Sequence, residues 1–186
     1  MRIISGSLKG KRINFIKSAT TRPLRDFVKE NIFNIINHSS LIDVKLKDAN
    51  VLDLYSGVGS FGIECISQGA KKTTFVENDN KAVTILRQNL NDLKIENQSE
   101  ILNEKSISFF KRLKNTQKFE IIFFDPPFVE NLFVEEVQLV KNSRMYKKKH
   151  LIIIHRENKT EDNLEKFINI ILVRNYGRSK IIFGVF

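Results

Sequence analysis

The chain has 186 residues, of which 41% are hydrophobic, so we expect one domain with its own core and at most a short appendage. The single cysteine, Cys65, excludes a disulfide within the chain, and no apolar segment is long enough for a signal peptide or a membrane span. We therefore expect a cytoplasmic protein. A net charge of +10 favours a polyanionic partner, although a lysine-rich base composition is an alternative explanation.

The positive charge is concentrated at the start of the chain, which argues against a uniform compositional bias. Residues 1–30 contain eight lysines and arginines and two acids. Short apolar and basic pieces around Gly6 and Gly10 predict a basic, irregular hairpin arm over residues 1–22, followed by the main domain over residues 23–186. A helix follows Pro23. Its apolar residues recur at three- and four-residue spacing: Leu24, Phe27, Val28, Ile32, Ile35 and Ile36.

A glycine-rich motif follows the strand predicted near residues 50–54. Gly57, Gly59 and Gly62 have the spacing of loops that bind nucleotide-like cofactors at the start of a doubly wound sheet. The next strand ends in Glu77, which is placed to accept hydrogen bonds from both hydroxyls of a ribose. A dinucleotide and S-adenosylmethionine would both use this acid. Asp53 would repel a diphosphate but suits a cationic ammonium group, so the motif favours S-adenosylmethionine.

From residue 50 onward, predicted strands alternate with predicted helices. The strands are 50–54, 72–77, 99–103, 119–124 and 150–155, and the helices are 60–68, 80–93, 106–114 and 130–141. Such alternation predicts a parallel sheet with helices on both faces. Residues 168–174 and 180–185, with Tyr176-Gly177 between them, predict an antiparallel hairpin. The expected fold class is a Rossmann-like α/β fold with a mainly parallel, seven-stranded sheet.

The tetrapeptide Asp125-Pro126-Pro127-Phe128 stands directly after the apolar run 119–124. Two prolines hold the backbone extended, so a carboxylate, a carbonyl and an aromatic ring are presented rigidly together. Such a cluster suits the exocyclic amine of a flat heterocycle: Asp125 and the Pro126 carbonyl would accept its two N–H groups, and Phe128 would stack on its ring. Taken alone, an ordinary Asp-Pro turn is the alternative.

Two other groups of residues are less informative. A second basic cluster is either another polyanion contact or a solvated loop; it comprises Lys141, Arg144, Lys147, Lys148 and Lys149. The three histidines and Cys65 do not have the spacing of a metal site. The histidines carry little functional weight, and a catalytic role is least improbable for His155, with Glu157 nearby.

The order and spacing of these motifs resemble the bacterial 16S ribosomal RNA guanine-N2 methyltransferases over nearly the whole chain. The resemblance also includes residues 2–6, 9–11, 21–23, 62–64, 69–70, 75–77 and 176–177. It implies a class I methyltransferase domain with a small N-terminal extension, S-adenosylmethionine as the cofactor and N2-methylguanine in 16S rRNA as the product. The 30S subunit would be the partner, the enzyme would be a monomer, and the target base would be flipped out of its stack.

The motifs, the resemblance and the basic charge of the N-terminal arm together give three sets of expected site residues. The catalytic set is Asp125, Pro126, Pro127 and Phe128. The cofactor set is Asp53, Tyr55, Gly57, Gly59, Glu77, Asn78, Ser106 and Asp125. The RNA set is Arg2, Lys9, Lys11, Arg12, Arg22, Arg25 and Lys29.

The chain also departs from the family pattern. Leu24 and Phe27 stand where polar residues are common, and Lys105 stands where an Asp or Asn often accepts from the adenine amine. A lysine cannot accept that hydrogen bond, so Glu104 or Ser106 would have to substitute. Two other functions therefore stay open: adenine-N6 methylation of RNA or DNA, and a non-catalytic RNA-binding relative.

Overall fold

The computed structural model describes residues 1–16, 24–112, 117–127 and 133–186, and of residue 112 the backbone only. Seven strands form one sheet in the order β3-β2-β1-β4-β5-β7-β6. Their bounds are β1 Asn50–Leu54, β2 Lys72–Glu77, β3 Ser99–Asn103, β4 Phe119–Phe124, β5 Tyr146–Glu157, β6 Asn169–Tyr176 and β7 Ser179–Val185. Strands β1 to β5 pair in parallel, and β7 is antiparallel to both β5 and β6. The predicted fold class is confirmed.

Helices cover both faces of the sheet because its central strands are buried on both sides. The helices are α1 Asp26–His38, α2 Ser60–Ser67, α3 Asn80–Leu93, α4 Ser106–Arg112 and α5 Phe133–Ser143. Along β4, Ile121 and Phe123 pack into the core beneath α1 and α2. Ile122 and Phe124 point the other way, into the core that contains Phe109 and Val137. Successive side chains of a strand point to opposite faces of the sheet, so β4 contributes residues to the core on each face.

Strand β5 is longer than predicted at both ends. It begins at Tyr146, which pairs with Phe119 of β4, and a register shift follows between Phe119 and Ile121. Residues 147–149 are therefore part of a strand and not of a loop. At the other end, Glu157 still pairs with Ser179 of β7. The predicted end of α4 at residue 114 and start of α5 at residue 130 lie outside the described residues.

Residues 1–16 fold back on themselves and dock on the domain. Arg2 and Arg12 form an antiparallel bridge, and the Ile3 N–H donates to the Lys11 carbonyl at 2.9 Å. Ile3 and Ile13 are almost completely buried in a cluster with residues of α2 and α3. We call residues 1–16 the N-terminal hairpin. The expected domain boundary at residues 22–23 falls outside the part of the chain that the structure describes and stays a prediction.

Helix α1 packs through one side, and Phe27 is not on it. Val28, Ile32 and Ile36 are buried, whereas Phe27 is 64% exposed. At about 100° per residue, position 27 lies nearly opposite the centre of the buried stripe. The prediction that Phe27 belongs to the apolar face was therefore wrong. None of the helices in the described ranges is long and apolar enough to cross a membrane.

Candidate active site at the carboxyl ends of the strands

Three predicted site carboxylates meet at one edge of the sheet. Leu54 of β1 is in register with Val76 of β2 and with Phe124 of β4. Because these strands are parallel, the side chains at their carboxyl ends share an edge. Asp53, Glu77 and Asp125 lie there, and the Asp125 N–H donates to the Leu54 carbonyl at 3.3 Å. Strand pairing alone therefore gathers negative charge at this edge.

The glycine loop between β1 and α2 requires glycine for two separate reasons. Gly57 and Gly59 have φ values of 54° and 88°, and a Cβ on Gly59 would also lie 2.5 Å from Leu86 Cδ1. Gly62 allows α2 to pack directly on β2, since a Cβ there would lie 2.3 Å from Phe75 Cε1. Tyr55 has φ 58° without being glycine, and such strained backbone is concentrated at functional sites.

Asp53 is buried beneath this loop and is only 1% exposed. The Gly62 N–H donates to its Oδ2 at 2.9 Å. Burial raises the pKa of Asp53 well above its ordinary value; the Gly62 hydrogen bond opposes this shift, and the charges of Asp125 and Glu77 add to it. The ionised form of Asp53 is therefore disfavoured by burial and by its two acidic neighbours, and a cationic ligand would stabilise it.

Glu77 braces the glycine loop with both of its oxygens. Its Oε2 accepts from the Gly57 N–H at 2.7 Å, and its Oε1 accepts from the N–H groups of Asn78 and Asp79 at 2.8 Å each. A carboxylate has lone pairs for further partners, so the expected ribose contacts are compatible with this bracing. The sequence pattern indicated the ribose role of Glu77 but not this structural one.

A cavity of about 260 Å³ opens beside Glu77. It is lined by Tyr55, Val76, Glu77, Asn78, Glu104, Lys105, Ser106, Ile107, Glu135 and Glu136. Four of the predicted cofactor residues, Tyr55, Glu77, Asn78 and Ser106, thus line one space. It lies at the carboxyl ends of the strands, where ligands bind in open α/β sheets.

Glu136, on α5, organises this cavity and was missed from the sequence. It is 3% exposed; the Tyr55 hydroxyl donates to its Oε2 at 2.7 Å and the Ser106 hydroxyl to its Oε1 at 2.5 Å. One buried acid therefore links the glycine loop to the start of α4. Ser106 was predicted as a cofactor contact, and its hydroxyl proton is already used here. No local pattern indicates this role, because Glu136 is separated from Tyr55 by 81 positions.

Asp125 is oriented by a histidine on the neighbouring strand. The Nδ1 of His155 lies 2.8 Å from Asp125 Oδ1, and its Nε2 lies 2.9 Å from the Ser179 hydroxyl. When Asp125 is ionised it can only accept, so Nδ1 is then the donor. His155 is 5% exposed, which limits its freedom to rotate. The histidines carried little functional weight in the sequence, and this contact between His155 and Asp125 was not predicted.

Arg156, the next residue of β5, holds the far end of the segment 125–127. Its Nη1 donates to the Pro127 carbonyl at 3.0 Å, and its guanidinium makes a double contact with Asp162. The same group lies 4.3 Å from the centre of the Phe133 ring. Pro126 is buried and Pro127 is exposed. Phe128, the fourth residue predicted to be catalytic, lies outside the described residues.

The predicted RNA residues separate into an exposed group and one buried lysine. Arg2, Lys9, Lys11, Arg12 and Arg25 are exposed, and Arg22 lies outside the described residues. Lys29 is 0% exposed, with its Nζ 3.3 Å from Glu64 Oε2 and 2.9 Å from the Arg2 carbonyl. The assignment of Lys29 to RNA binding was therefore wrong. The sequence contained a signal for this burial: Lys29 precedes Ile32 by three residues and Phe33 by four, which places it on the buried side of α1.

The second basic cluster faces away from this site. Lys147 and Lys149 stand near the amino-terminal end of β5, and β5 runs parallel to β4, which carries Asp125 at its opposite end. Lys147 pairs with Glu120 at 2.9 Å and Lys149 with Asp43 at 2.7 Å. Lys141 donates to the Phe167 carbonyl at 2.9 Å. These contacts favour a structural role for the cluster over a polyanion contact.

The strand order, the glycine loop and the acidic edge define a class I methyltransferase fold. Comparison with solved structures agrees: "Putative methyltransferase yhhF from Escherichia coli" superposes with a TM-score of 0.81 and 25% identity, covering 99% of this chain and 96% of that one.

The chain belongs to the family described as "Conserved hypothetical protein 95", whose profile matches residues 1–185. Among its relatives are two proteins named Ribosomal RNA small subunit methyltransferase D. The one from Haemophilus influenzae is 34% identical over 84% of this chain and 79% of its own length. The one from Buchnera aphidicola is 31% identical over 100% of this chain and 91% of its own length.

Proposed function

We propose that this chain transfers a methyl group from S-adenosylmethionine to the exocyclic N2 amine of a guanine in 16S rRNA. The observation that carries the proposal is Asp125, which His155 holds at 2.8 Å at the same edge of the sheet as Glu77, a residue that lines the cavity. The names of its relatives support ribosomal RNA of the small subunit as the substrate class. We further propose that it acts as a cytoplasmic monomer on the 30S subunit or an assembly intermediate.

The residues of the acidic edge fit S-adenosylmethionine. Its ammonium and sulfonium groups are cationic, and Asp53 is a buried carboxyl whose pKa is raised by burial and by two neighbouring carboxylates. Glu77 lines the cavity where a ribose would bind. The Ser56 hydroxyl, in the glycine loop, is buried and has no hydrogen-bond partner among the described residues, so it is available to a polar group of the cofactor. When bound, the cofactor supplies an electrophilic methyl group on a positively charged sulfur.

The substrate amine needs polarisation rather than deprotonation. The N2 lone pair of guanine is delocalised into the ring, and its proton is too weakly acidic for a carboxylate to remove first. We assign Asp125 and the Pro126 carbonyl to its two N–H groups, so negative oxygens face the nitrogen as it becomes positive. Transfer would form an N–C bond from the nitrogen lone pair as the C–S bond breaks, with the electrons of that bond staying on sulfur. Asp125, which is assigned to one of the two N–H groups, would accept the proton that the positive nitrogen loses.

The loop geometry keeps these acceptors in place. His155 holds one oxygen of Asp125, and Arg156 holds the Pro127 carbonyl. Both anchors lie on β5, a buried strand, so the loop is fixed at two points before the substrate arrives. We assign stacking on the flipped base to Phe128.

The exposed cations of the N-terminal hairpin are the proposed phosphate contacts. Arg2, Lys9, Lys11 and Arg12 lie on a hairpin whose Ile4 and Ser5 N–H groups donate to Glu64 of α2 at 2.9 Å each. Helix α2 starts at the glycine loop, which is assigned to the cofactor. A hairpin fixed to α2 would therefore hold the bound RNA in a set position relative to the cofactor. Arg25, just before α1, extends the same set.

The deciding experiment uses tritium-labelled S-adenosylmethionine and undermethylated 30S subunits, followed by nucleoside digestion and chromatography. We expect label in N2-methylguanosine, and a loss of about 10²–10³-fold in rate for Asp125→Ala, the scale for removing one group that stabilises developing charge. Label in N6-methyladenosine would instead show that the methylated base is adenine and not guanine. Failure to bind the cofactor by isothermal titration would instead indicate a non-catalytic relative.

A further inference from the structure

Phe27 is the most exposed of the large hydrophobic side chains in the described ranges. It is 64% exposed, on the side of α1 that faces away from the core. Its only described ring contact is with Tyr176, at a centroid distance of 5.8 Å and an interplanar angle of 87°. A perpendicular neighbour cannot cover both faces of the Phe27 ring. A flat surface is therefore open to a further aromatic partner.

A short series of contacts connects this ring to the catalytic loop. Asp125 contacts His155 at 2.8 Å, and His155 contacts the Ser179 hydroxyl at 2.9 Å. Ser179 is the cross-strand partner of Tyr176 in the β6–β7 hairpin. Tyr176 in turn contacts Phe27. Phe27 thus lies at the same end of the sheet as Asp125, separated from it by one strand end and one hairpin.

The surroundings of Phe27 favour a polyanionic partner. Arg25 is exposed two residues before it, and Arg2, with 74% of its side chain exposed, lies near the same end of α1, where its Nε is 4.0 Å from Asp26. An exposed aromatic ring flanked by arginines is the arrangement that single-stranded nucleic acid prefers, because bases stack on the ring and phosphates bind the guanidinium groups. A protein partner would more often cover a wider apolar patch.

We propose that Phe27, packed against Tyr176, stacks on an unpaired base of the bound RNA a few nucleotides from the methylated one. This inference rests on the proposed function, since it names a second contact of the same substrate. A flipped target base disturbs the stacking of the flanking segment, and a ring at this position would give one of its unpaired bases a stacking partner. The contact is sequence-tolerant because every base has a π-face.

The chain contains no tryptophan, so Phe27→Trp introduces a single reporter. Leu41→Trp is the matched control: Leu41 is 57% exposed and follows the other end of α1, roughly 20 Å away at 1.5 Å per helical residue. With a single-stranded RNA oligonucleotide, we expect fluorescence quenching at position 27 and none at position 41. An abasic oligonucleotide of the same length carries the same charge and should not quench.

Affinity for an unmodified 16S rRNA transcript provides an independent measurement. We expect Phe27→Ala to weaken binding by about 5- to 100-fold without changing its salt dependence, and Leu41→Ala to leave binding unchanged. Arg25→Ala should instead reduce the slope of log affinity against log salt by about one. Cofactor affinity should be the same in all three variants.

Three results would overturn the inference. The first is that the wild-type enzyme is active but the Phe27→Ala variant binds RNA with the same affinity as the wild type. The second is equal quenching by the abasic oligonucleotide. The third is a signal from the Phe27→Trp variant with 30S subunits but not with naked RNA, which would assign the surface to a ribosomal protein. Absence of labelled methylguanosine from the wild-type enzyme would instead contradict the proposed function itself.

Discussion

The acidic edge and the N-terminal hairpin use charge in opposite ways. At the acidic edge, Asp53 and Glu77 are held by backbone N–H groups of the glycine loop and its flanks, and Asp53 is buried. On the hairpin, the cations Lys11 and Arg12 are exposed. Beneath the hairpin, the buried cation Lys29 contacts the Arg2 carbonyl and Glu64. Burial, more than the sign of a charge, separates charged residues that build the scaffold from those that are available to a partner.

One side chain connects the two regions. Asn89, 2% exposed on α3, accepts from the Asn14 N–H at 2.8 Å and donates to the carbonyls of Asn14 and Val58 at 3.1 Å each. Asn14 lies near the end of the hairpin, and Val58 is in the glycine loop. The hairpin and the glycine loop therefore share an anchor, and damage to one can be separated from damage to the other only with matched variants.

The largest effect is expected when the buried anchor of the hairpin is broken. Glu64→Ala leaves Lys29 as an unpaired buried cation and removes the acceptor for the Ile4 and Ser5 N–H groups. We expect a loss of about 3–5 kcal/mol in the free energy of unfolding, measured by chemical denaturation. Glu100→Ala is the control, because its pair with Lys72 is more than a third exposed on both sides. That variant should lose less than about 1 kcal/mol, and equal losses would contradict the anchoring role of Glu64.

The next effect is on the rate of methyl transfer. In His155→Leu, Asp125 loses its neighbour on β5, and we expect turnover to fall by about 10- to 100-fold, the cost of a misplaced catalytic group. In His155→Asn, the amide nitrogen can replace Nδ1, so most of the activity should return although the Ser179 contact is lost. Single-turnover rates measure the effect. A merely structural role for His155 would lower thermal stability in both variants without this difference in rate.

A pH-dependent effect is expected at Asp53. Its folded-state pKa is raised above the unfolded value, so the folded protein binds the extra proton and stability falls as pH rises from the unfolded pKa through the folded one. Asp53→Asn keeps an oxygen for the Gly62 N–H and removes the titration. Its stability relative to wild type should therefore increase with pH, by at most about 1.4 kcal/mol per pH unit. Urea midpoints at several pH values test this, and a constant difference would contradict it.

The smallest effect is expected on the hairpin surface. Lys11→Ala and Arg12→Ala each remove one exposed cation. Each should weaken RNA binding severalfold and reduce the slope of log affinity against log salt by about one. Affinity for S-adenosylmethionine, measured by titration calorimetry, should not change. Equal loss of both affinities would mean that the hairpin and the acidic edge do not divide the work as proposed.

Those parts of this protein that depend on local pattern could be predicted from the amino-acid sequence. Alternating apolar runs and helical periodicity predicted the parallel sheet and the terminal hairpin, and Asp53, Glu77 and Asp125 were found because each lies at the carboxyl end of an apolar strand. The glycine spacing predicted a tight turn, and Gly57 and Gly59 there have the positive φ values of 54° and 88° that favour glycine. Each of these signals lies within about a dozen residues, which is the range over which backbone geometry constrains side-chain direction.

Contacts between groups that are distant in the sequence depend on the packing of the whole fold. His155 contacts Asp125 across 30 positions, and Glu136 contacts Tyr55 across 81, because neighbouring strands and a covering helix bring them together. The same packing buried Lys29 and left Phe27 in solvent, against both predictions. Periodicity predicts the side of a helix on which a residue lies, but whether another element packs against that side depends on the whole fold. A charged residue therefore becomes an anchor, and an apolar one becomes surface, only once its neighbours are in place.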